Sequence, residues 1–189
     1  MALNLRAINL ARNQLSGLIP ASIGRMLFLK VLHLHTNRLN GEIFGFLNNA
    51  SQCMALNLRM INLARNQLSG PIPVSIGRML FLEVLHLHTN RLNGSVPENI
   101  GLLSKLEMLS FSSNALKGVL TELHFAKLTR CLTKNVFKLV CLECKLQLDS
   151  TFQSPIYLYG IMPDGSPNCT IASDTEKYSG AGLIKCRDF

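Results

Sequence analysis

Residues 54–96 decide the fold, and they read MALNLRMINLARNQLSGPIPVSIGRMLFLEVLHLHTNRLNGSV. Residues 1–43 repeat this stretch with six differences, namely Ala7/Met60, Leu18/Pro71, Ala21/Val74, Lys30/Glu83, Glu42/Ser95 and Ile43/Val96. Inside the second copy an asparagine recurs after 24 residues, at Asn66 and Asn90, and Asn114 follows at the same interval. The chain is therefore built on a short internal repeat with the period of a stacked solenoid.

Around each of these asparagines the sequence follows L-x-x-L-x-L-x-x-N-x-L-x-G, which is the pattern of the leucine-rich repeat. Its L-x-L core alternates like a short strand, so Leu32 and Leu34 point to one face and His33 points to the other. One such strand cannot bury its leucines alone, but a repeat stacked beside it makes a continuous core. We expect parallel strands at residues 7–11, 31–35, 60–64, 84–88 and 108–112, with these side chains stacked inside: Leu10, Leu34, Leu63, Leu87 and Phe111.

The asparagine and the glycine of each repeat have physical roles in the turn that follows the strand. The amide of a residue such as Asn66 can bond to backbone groups that the turn leaves without partners, so stacked asparagines form a ladder. The glycine that follows, Gly70 in the same repeat, permits a positive φ or relieves crowding.

The segment after the glycine resembles that of a known family. In the second copy it contains Ile72, Pro73, Ile76 and Gly77, and the whole unit reads N-x-L-x-G-x-I-P-x-x-I-G-x-M-x-x-L. This unit resembles the plant subclass of leucine-rich repeats, which is found in the ectodomains of receptor-like kinases and receptor-like proteins and in polygalacturonase-inhibiting proteins. The resemblance covers residues 1–120 and implies ligand recognition without catalysis.

A second motif favours one branch of that family. Residues 114–132 read NALKGVLTELHFAKLTRCL, in which Glu122, His124, Phe125 and Leu128 match an E-x-H-F-x-x-L variant. This variant resembles a segment of plant receptor-like proteins. The chain is therefore most like the ectodomain of a receptor-like protein, a class that by resemblance senses ligands in defence or development.

The predicted fold is an α/β right-handed leucine-rich-repeat solenoid with a parallel concave sheet, about five repeats and an irregular C-terminal third. Its segments are predicted as the first repeat copy at 1–43, a junction loop at 44–53, the second copy plus one repeat at 54–120, degenerate repeats at 121–150 and an irregular tail at 151–189. The interval from Asn37 to Asn66 is 29 residues, and we expect the five extra residues to form a loop that leaves the stack intact.

Charge and motifs argue against several function classes. The net charge of +8 is spread over the repeats, which is typical of a solvated surface, although attraction to anionic wall polymers is an alternative. No basic block interleaved with aromatic residues supports nucleic-acid binding. No phosphate-binding glycine loop, metalloprotease, serine-hydrolase or kinase signature is present. The sequence therefore predicts neither an enzyme nor a cofactor.

Metal binding is also not predicted. Cys141 and Cys144 have the spacing of a metal-binding pair, but no second pair accompanies them. His33 and His35 lie on one strand face, as do His86 and His88. Two ligands make a weak site, and the pairs are separated by more than one strand spacing of roughly 4.8 Å, so we expect exposed polar residues instead.

The predicted function therefore rests on the concave face, where the positions flanking the inward leucines point outward. The two copies differ there at Ala7/Met60, and beside it at Lys30/Glu83. We expect a protein or peptide ligand, with a co-receptor kinase from another chain as a possible partner. The candidate binding residues are Met60, Asn62, His86, His88 and Ser110, with Glu83 at the rim. Random sequence drift after a recent duplication explains the differences between the two copies equally well.

Location and processing are predicted mainly by resemblance. Asn49, Asn93 and Asn168 each begin an N-x-S/T glycosylation triplet. The resemblance implies the extracellular face of the plasma membrane or the cell wall. The sequence shows neither a secretory signal nor an apolar run of about 18 residues, from which we expect a truncated product or a fragment. Two alternatives stay open, a soluble inhibitor of a wall-degrading polygalacturonase and a non-functional fragment of a duplicated receptor gene.

Overall fold

The computed structural model describes residues 4–43, 45, 47 and 57–128, together with the backbone of residues 145–148. One strand from each repeat enters a five-stranded parallel sheet, the concave sheet, and these strands are β1 Ala7–Asn9, β3 Val31–His33, β5 Met60–Asn62, β7 Val84–His86 and β9 Met108–Ser110. They lie in the order β1-β3-β5-β7-β9, and every pair is in register. The repeats therefore stack side by side, as the period predicts.

The concave strands begin at the predicted residues but are two residues shorter than predicted. Backbone bonding continues beyond their ends, because Leu10 N donates to His33 O at 2.9 Å and Arg12 N donates to His35 O at 2.9 Å. The predicted positions therefore still face the same way, although residues 10 and 11 lie outside the strand proper.

Each repeat also contributes to a second parallel sheet, which the sequence reading did not predict. Its strands are β2 Ser16–Gly17, β4 Arg38–Glu42, β6 Gln67–Pro71, β8 Arg91–Gly94, β10 Ala115–Leu120 and β11 Lys145–Leu148, in the order β11-β10-β8-β6-β4-β2. Short 3-10 helices follow β2, β6, β8 and β10, and the first three of them lead to the next concave strand: η1 Ala21–Arg25, η2 Val74–Arg78, η3 Glu98–Leu102 and η4 Glu122–Phe125. These helices pack closely, since a Cβ on Gly101 would meet the backbone oxygen of Leu123.

The core is a stack of leucines between the two sheets. Leu63 and Leu87 are fully buried, and Phe111 fills the same position in the next repeat, as predicted. Leu10 departs from the prediction, because 45% of it is exposed. Strand β1 has a paired neighbour on one side only. Leu63 lies in the same local sequence, but its repeat is stacked between two others.

The asparagines form the predicted ladder. The Nδ2 of Asn66 donates to Leu34 O at 3.0 Å and to Leu63 O at 3.1 Å, and its Oδ1 accepts from Leu39 N at 3.0 Å. Asn90 and Asn114 repeat this arrangement one and two repeats further along. Each amide therefore joins its own turn to the backbone of the preceding repeat.

Two positions per repeat adopt positive φ. The glycine after the asparagine does so as predicted, for example Gly70 at 78°. The residue before the asparagine does so without being glycine, for example Arg65 at 56° and Thr89 at 56°. A branched residue such as Thr rarely adopts this conformation, so the ladder must hold the turn in place.

The stack continues across the junction between the two copies. Strand β3 pairs directly with β5, with Val31 opposite Met60. On the way, Leu47 N donates to Ile43 O at 3.0 Å, and both side chains are fully buried. At least part of the extra sequence therefore contributes to the core.

The E-x-H-F variant has a structural explanation in η4. His124 is buried, with its Nδ1 3.0 Å from Thr121 N, which donates to it, and its Nε2 2.9 Å from Val96 O. Phe125 is buried beside it in the core. The imidazole thus links η4 to the preceding repeat. At the positions of His124 and Phe125, the 3-10 helices of the other repeats have an isoleucine and a glycine.

Candidate functional site

The concave sheet presents its outward side chains in three rows that run across the strands. The apolar row consists of Val31, Met60, Val84 and Met108, which are all half-buried and adjacent in register. The middle row consists of Asn9, His33, Asn62, His86 and Ser110. The third row lies just past the strands and consists of Ala11, His35, Ala64, His88 and Ser112. The face therefore changes from apolar to polar along each strand.

Four histidines form a cluster around strand β5. His33 and His35 flank it on one side with ring centroids 6.1 Å apart, and His86 and His88 flank it on the other side at the same separation. Between His35 and His88 the intervening residue is the buried Ala64. Ala64 is covered by its neighbours, and we call the strip of β5 between the two histidine pairs the trough.

Burial and mutual repulsion lower the pKa of three of these histidines, His35, His86 and His88. Burial lowers the pKa of His86, and the nearby His33 and His35 lower it further. Burial also lowers the pKa of His88, followed by the effects of His86, Arg65 and His35. The pKa of His35 is lowered in the same way by burial, His33, Arg12 and Arg65. The two pairs therefore influence each other across β5, which the sequence reading, treating them as independent, did not predict.

Several contacts fix the orientation of these side chains. The Nε2 of His33 lies 2.9 Å from the Sδ of Met60. The Nδ1 of His88 lies 3.2 Å from the Oγ1 of Thr89, and His35 has the same contact with Thr36. In the hydrogen bonds among the described residues, the Nε2 atoms of His35 and His88 take no part, so both can meet a ligand.

The rim of the face carries an ion pair. Glu83 Oε1 lies 3.0 Å from Arg59 Nη1, immediately before strands β7 and β5. In the first copy the equivalent positions hold Arg6 and Lys30, two like charges. The substitution Lys30/Glu83 thus makes the pair possible, although both members are partly exposed and such pairs contribute little stability.

The structure brings most of the predicted site residues together. Asn62, His86 and Ser110 are adjacent in register, Met60 lies at the near end of β5, and His88 follows β7. Glu83 lies at the rim, one residue before β7. The sequence reading left His33 and His35 out of the site, although their position in the outward pattern was evident. The outward alternation together with the small Ala64 is the signal that could have included them.

The predicted glycosylation sites are only partly within the described residues. Asn93 is an exposed residue within β8, followed by the exposed Gly94 and Ser95. Asn49 and Asn168 lie outside the described residues, as does the Cys141–Cys144 pair.

The described residues hold no group of three or more His, Cys, Asp or Glu side chains suited to a metal ion. Within the same part of the chain, no helix has both the length and the apolar character needed to cross a membrane.

Comparison with known proteins identifies the repeats. The family model described as Leucine Rich Repeat matches residues 4–26, 57–79 and 81–103. Receptor-like protein 56 from Arabidopsis thaliana is 35% identical over 75 residues, which is 37% of this chain and 7% of that protein. This match agrees with the motif resemblance.

Solved structures show the same relationship. The Arabidopsis receptor kinase HAESA, in complex with the peptide hormone IDA and the co-receptor SERK1, has a TM-score of 0.60 and 29% identity, over 79% of this chain and 23% of that chain. A chain of the BIR3–SERK2 complex from Arabidopsis thaliana has a TM-score of 0.57 and 30% identity, over 78% of this chain and 71% of that chain.

The chain belongs to the leucine-rich-repeat proteins of the plant type, and it is most similar to the ectodomains of plant receptors. It spans only a small part of some of these relatives, 7% of Receptor-like protein 56 and 23% of the HAESA chain.

Proposed function

We propose that this chain is ectodomain sequence of a receptor-like protein that binds a protein or peptide ligand on its concave face. The binding strip consists of Met60, Asn62, His86, His88 and Ser110, with Glu83 at the rim. The observation that carries the proposal is the composition of this strip, in which half-buried apolar and polar rows lie side by side on a paired sheet. Such a surface offers apolar contact area together with oriented hydrogen-bonding groups.

The relatives support this kind of function. HAESA was solved with a peptide hormone and a co-receptor, and its ectodomain has the same fold. HAESA's co-receptor SERK1 is a separate chain, and by analogy signalling in defence or development would pass through a co-receptor kinase on another chain. The site of action is then the extracellular face of the plasma membrane or the cell wall, and Asn93 is a candidate glycosylation site there.

Placing the same charge on two different faces tests the proposal. Met60→Asp adds a carboxylate to the centre of the binding strip, whereas Val74→Asp adds one to η2, where Val74 is 67% exposed. The immobilised chain is used to capture ligands from plant extracellular extracts, with bound proteins and peptides identified by mass spectrometry. We expect Met60→Asp to reduce capture at least about tenfold, the effect of losing one central contact.

The Val74→Asp variant should capture the same ligands as the parent. Both variants are compared by thermal melting, so that a loss of fold is recognised as such. Equal capture by Met60→Asp and the parent, with both folded, would show that the ligand binds elsewhere and would refute the proposal.

A further inference from the structure

The chemistry of the concave face indicates what kind of ligand it accepts. The outward positions of the five concave strands and their continuations carry no carboxylate at all; they are residues 7, 9, 11, 31, 33, 35, 60, 62, 64, 84, 86, 88, 108, 110 and 112. Four of them are histidines. Arg12 and Arg65 border the cluster closely enough to lower the pKa of His35. The face therefore has latent positive charge and no negative charge of its own.

No neighbouring element compensates that charge when the histidines become protonated. Strand β1 contributes Asn9 and then Arg12, strand β5 contributes Asn62 and then Arg65, and strand β9 contributes two serines. Two carboxylates, Glu83 and Glu107, lie at the strand entrances, outside these outward positions, and Glu83 is paired with Arg59 at 3.0 Å. Negative charge on a bound ligand would therefore stabilise the protonated form of the cluster.

We propose that the trough over β5 binds an extended acidic peptide, and that binding tightens as the pH falls. This inference rests on the proposed function and adds to it the class of ligand and its regulation. The peptide carries an apolar side chain against Met60 and its neighbours in the apolar row. Its carboxylates lie between the pair His33 and His35 and the pair His86 and His88.

The spacing of the cluster fits an extended peptide. Alternate side chains of an extended chain lie roughly 6.6 Å apart on one face, and the paired imidazoles on each side of the trough are 6.1 Å apart. The two pairs flank β5 with one strand between them, so they are roughly 10 Å apart. A peptide lying along β5 therefore meets both pairs. The side chains that it turns toward the sheet lie two positions apart, so its expected pattern is an apolar residue with acidic residues two and four positions away from it.

The apolar row favours a peptide over an acidic wall polysaccharide. Val31, Met60, Val84 and Met108 form a continuous half-buried strip beside the histidines. Apolar side chains of a peptide gain free energy by covering such a strip. A polymer of uronic acids supplies carboxylates and hydroxyls but no such side chains, and the outward positions include no Phe, Tyr or Trp ring on which sugars could stack.

The direction of the pH effect follows from the state of the free protein. The pKa values of His35, His86 and His88 are lowered, first of all by burial, so these rings are neutral at pH 7. A bound carboxylate raises the same pKa values, so binding takes up protons. The affinity therefore rises as the pH falls through the histidine pKa values of the complex. It levels off below the lower pKa values of the free protein. Each proton taken up contributes at most about tenfold per pH unit.

The test is a selection of random displayed peptides on the full chain at about pH 5 and about pH 7.5, the range in which histidine titrates. We expect the recovered peptides to carry an apolar residue with acidic residues two and four positions away from it. Their affinity, measured by fluorescence anisotropy, should be at least roughly tenfold higher at the lower pH. Synthetic versions with every Glu and Asp replaced by Gln and Asn should lose this pH dependence.

Variants of the protein complete the test. His86→Gln together with His88→Gln should remove most of the pH dependence, whereas Arg78→Ala on the outer path should leave it unchanged. Neutral or basic recovered peptides, an affinity that does not change with pH, or displacement of every peptide by polygalacturonate would each overturn the inference. If the selected peptides bind the Met60→Asp variant as tightly as they bind the parent, the proposed function fails as well. Peptides that bind the parent, lose affinity for Met60→Asp and lack acidic residues refute only the inference.

Discussion

Replacing Leu63 by Asp is expected to abolish the cooperative unfolding transition of the solenoid near room temperature. Leu63 is fully buried between two repeats. The change removes a leucine from a packed core, which costs about 2–5 kcal/mol. It also places a carboxyl group where no partner lies within the stack, which costs several kcal/mol more. Together these costs approach the whole free energy of unfolding of a typical domain, about 5–15 kcal/mol.

The duplicated sequence provides a matched control for this prediction. Leu10 occupies the same position in the first copy, within the same ten-residue sequence INLARNQLSG, but it is 45% exposed. Leu10→Asp should therefore lower the free energy of unfolding by only about 1 kcal/mol. Circular dichroism during urea denaturation measures both variants. If Leu10→Asp and Leu63→Asp unfold at the same urea concentration, the repeats are not stacked as described.

Replacing Asn66 by Ala is expected to give the second-largest loss of stability, about 3 kcal/mol. The side chain of Asn66 donates to Leu34 O and Leu63 O and accepts from Leu39 N, all within 3.1 Å. Alanine leaves these backbone groups without a partner in a partly buried turn. It also removes the constraint that holds Arg65 at a φ of 56°.

Asn13 is the counterpart of Asn66 in the first copy and serves as its control. Its Nδ2 donates only to Leu10 O and Ala11 O, within its own turn, and these bonds are exposed to solvent. Asn13→Ala should therefore cost no more than about 1 kcal/mol. Measured by the same denaturation, a loss for Asn13→Ala as large as that for Asn66→Ala would mean that the ladder between repeats contributes nothing beyond the local turn.

The parts of the fold that the sequence predicted are those that repeat. A core leucine must meet another leucine in the next repeat, so a fixed period determines where Leu63, Leu87 and Phe111 lie. The asparagine ladder and the positive φ of Gly70 follow from the same period, because the turn recurs with the same chemistry. These features depend on local sequence and on one neighbour of the same kind.

The features that were missed depend on the neighbours rather than on the local residues. The second sheet forms from segments such as Gln67–Pro71, whose glycine and proline are typical of turns when a single repeat is considered. Leu10 was predicted inside because its own sequence equals that of Leu63, yet its strand β1 begins the sheet and leaves 45% of the Leu10 side chain exposed. Arg65 adopts positive φ although its residue type gives no sign of it.

The candidate site was predicted in outline for a similar reason. Alternation along a strand identifies the outward residues, so Met60, Asn62, His86 and Ser110 were found from the pattern alone. The mutual influence of His35, His86 and His88 depends on side chains reaching across β5 past Ala64, which only the three-dimensional arrangement reveals.

The most direct test of the concave face as the binding surface compares alanine substitutions on opposite sides of the solenoid. The affinity of a captured ligand is measured by calorimetry for the parent, for His86→Ala with His88→Ala, and for Arg78→Ala in the exposed end of η2. We predict that the double histidine variant weakens binding at least roughly tenfold, as expected for central contacts, while Arg78→Ala binds like the parent. Equal losses from both would indicate general attraction to a basic surface and would contradict the assignment of the concave face.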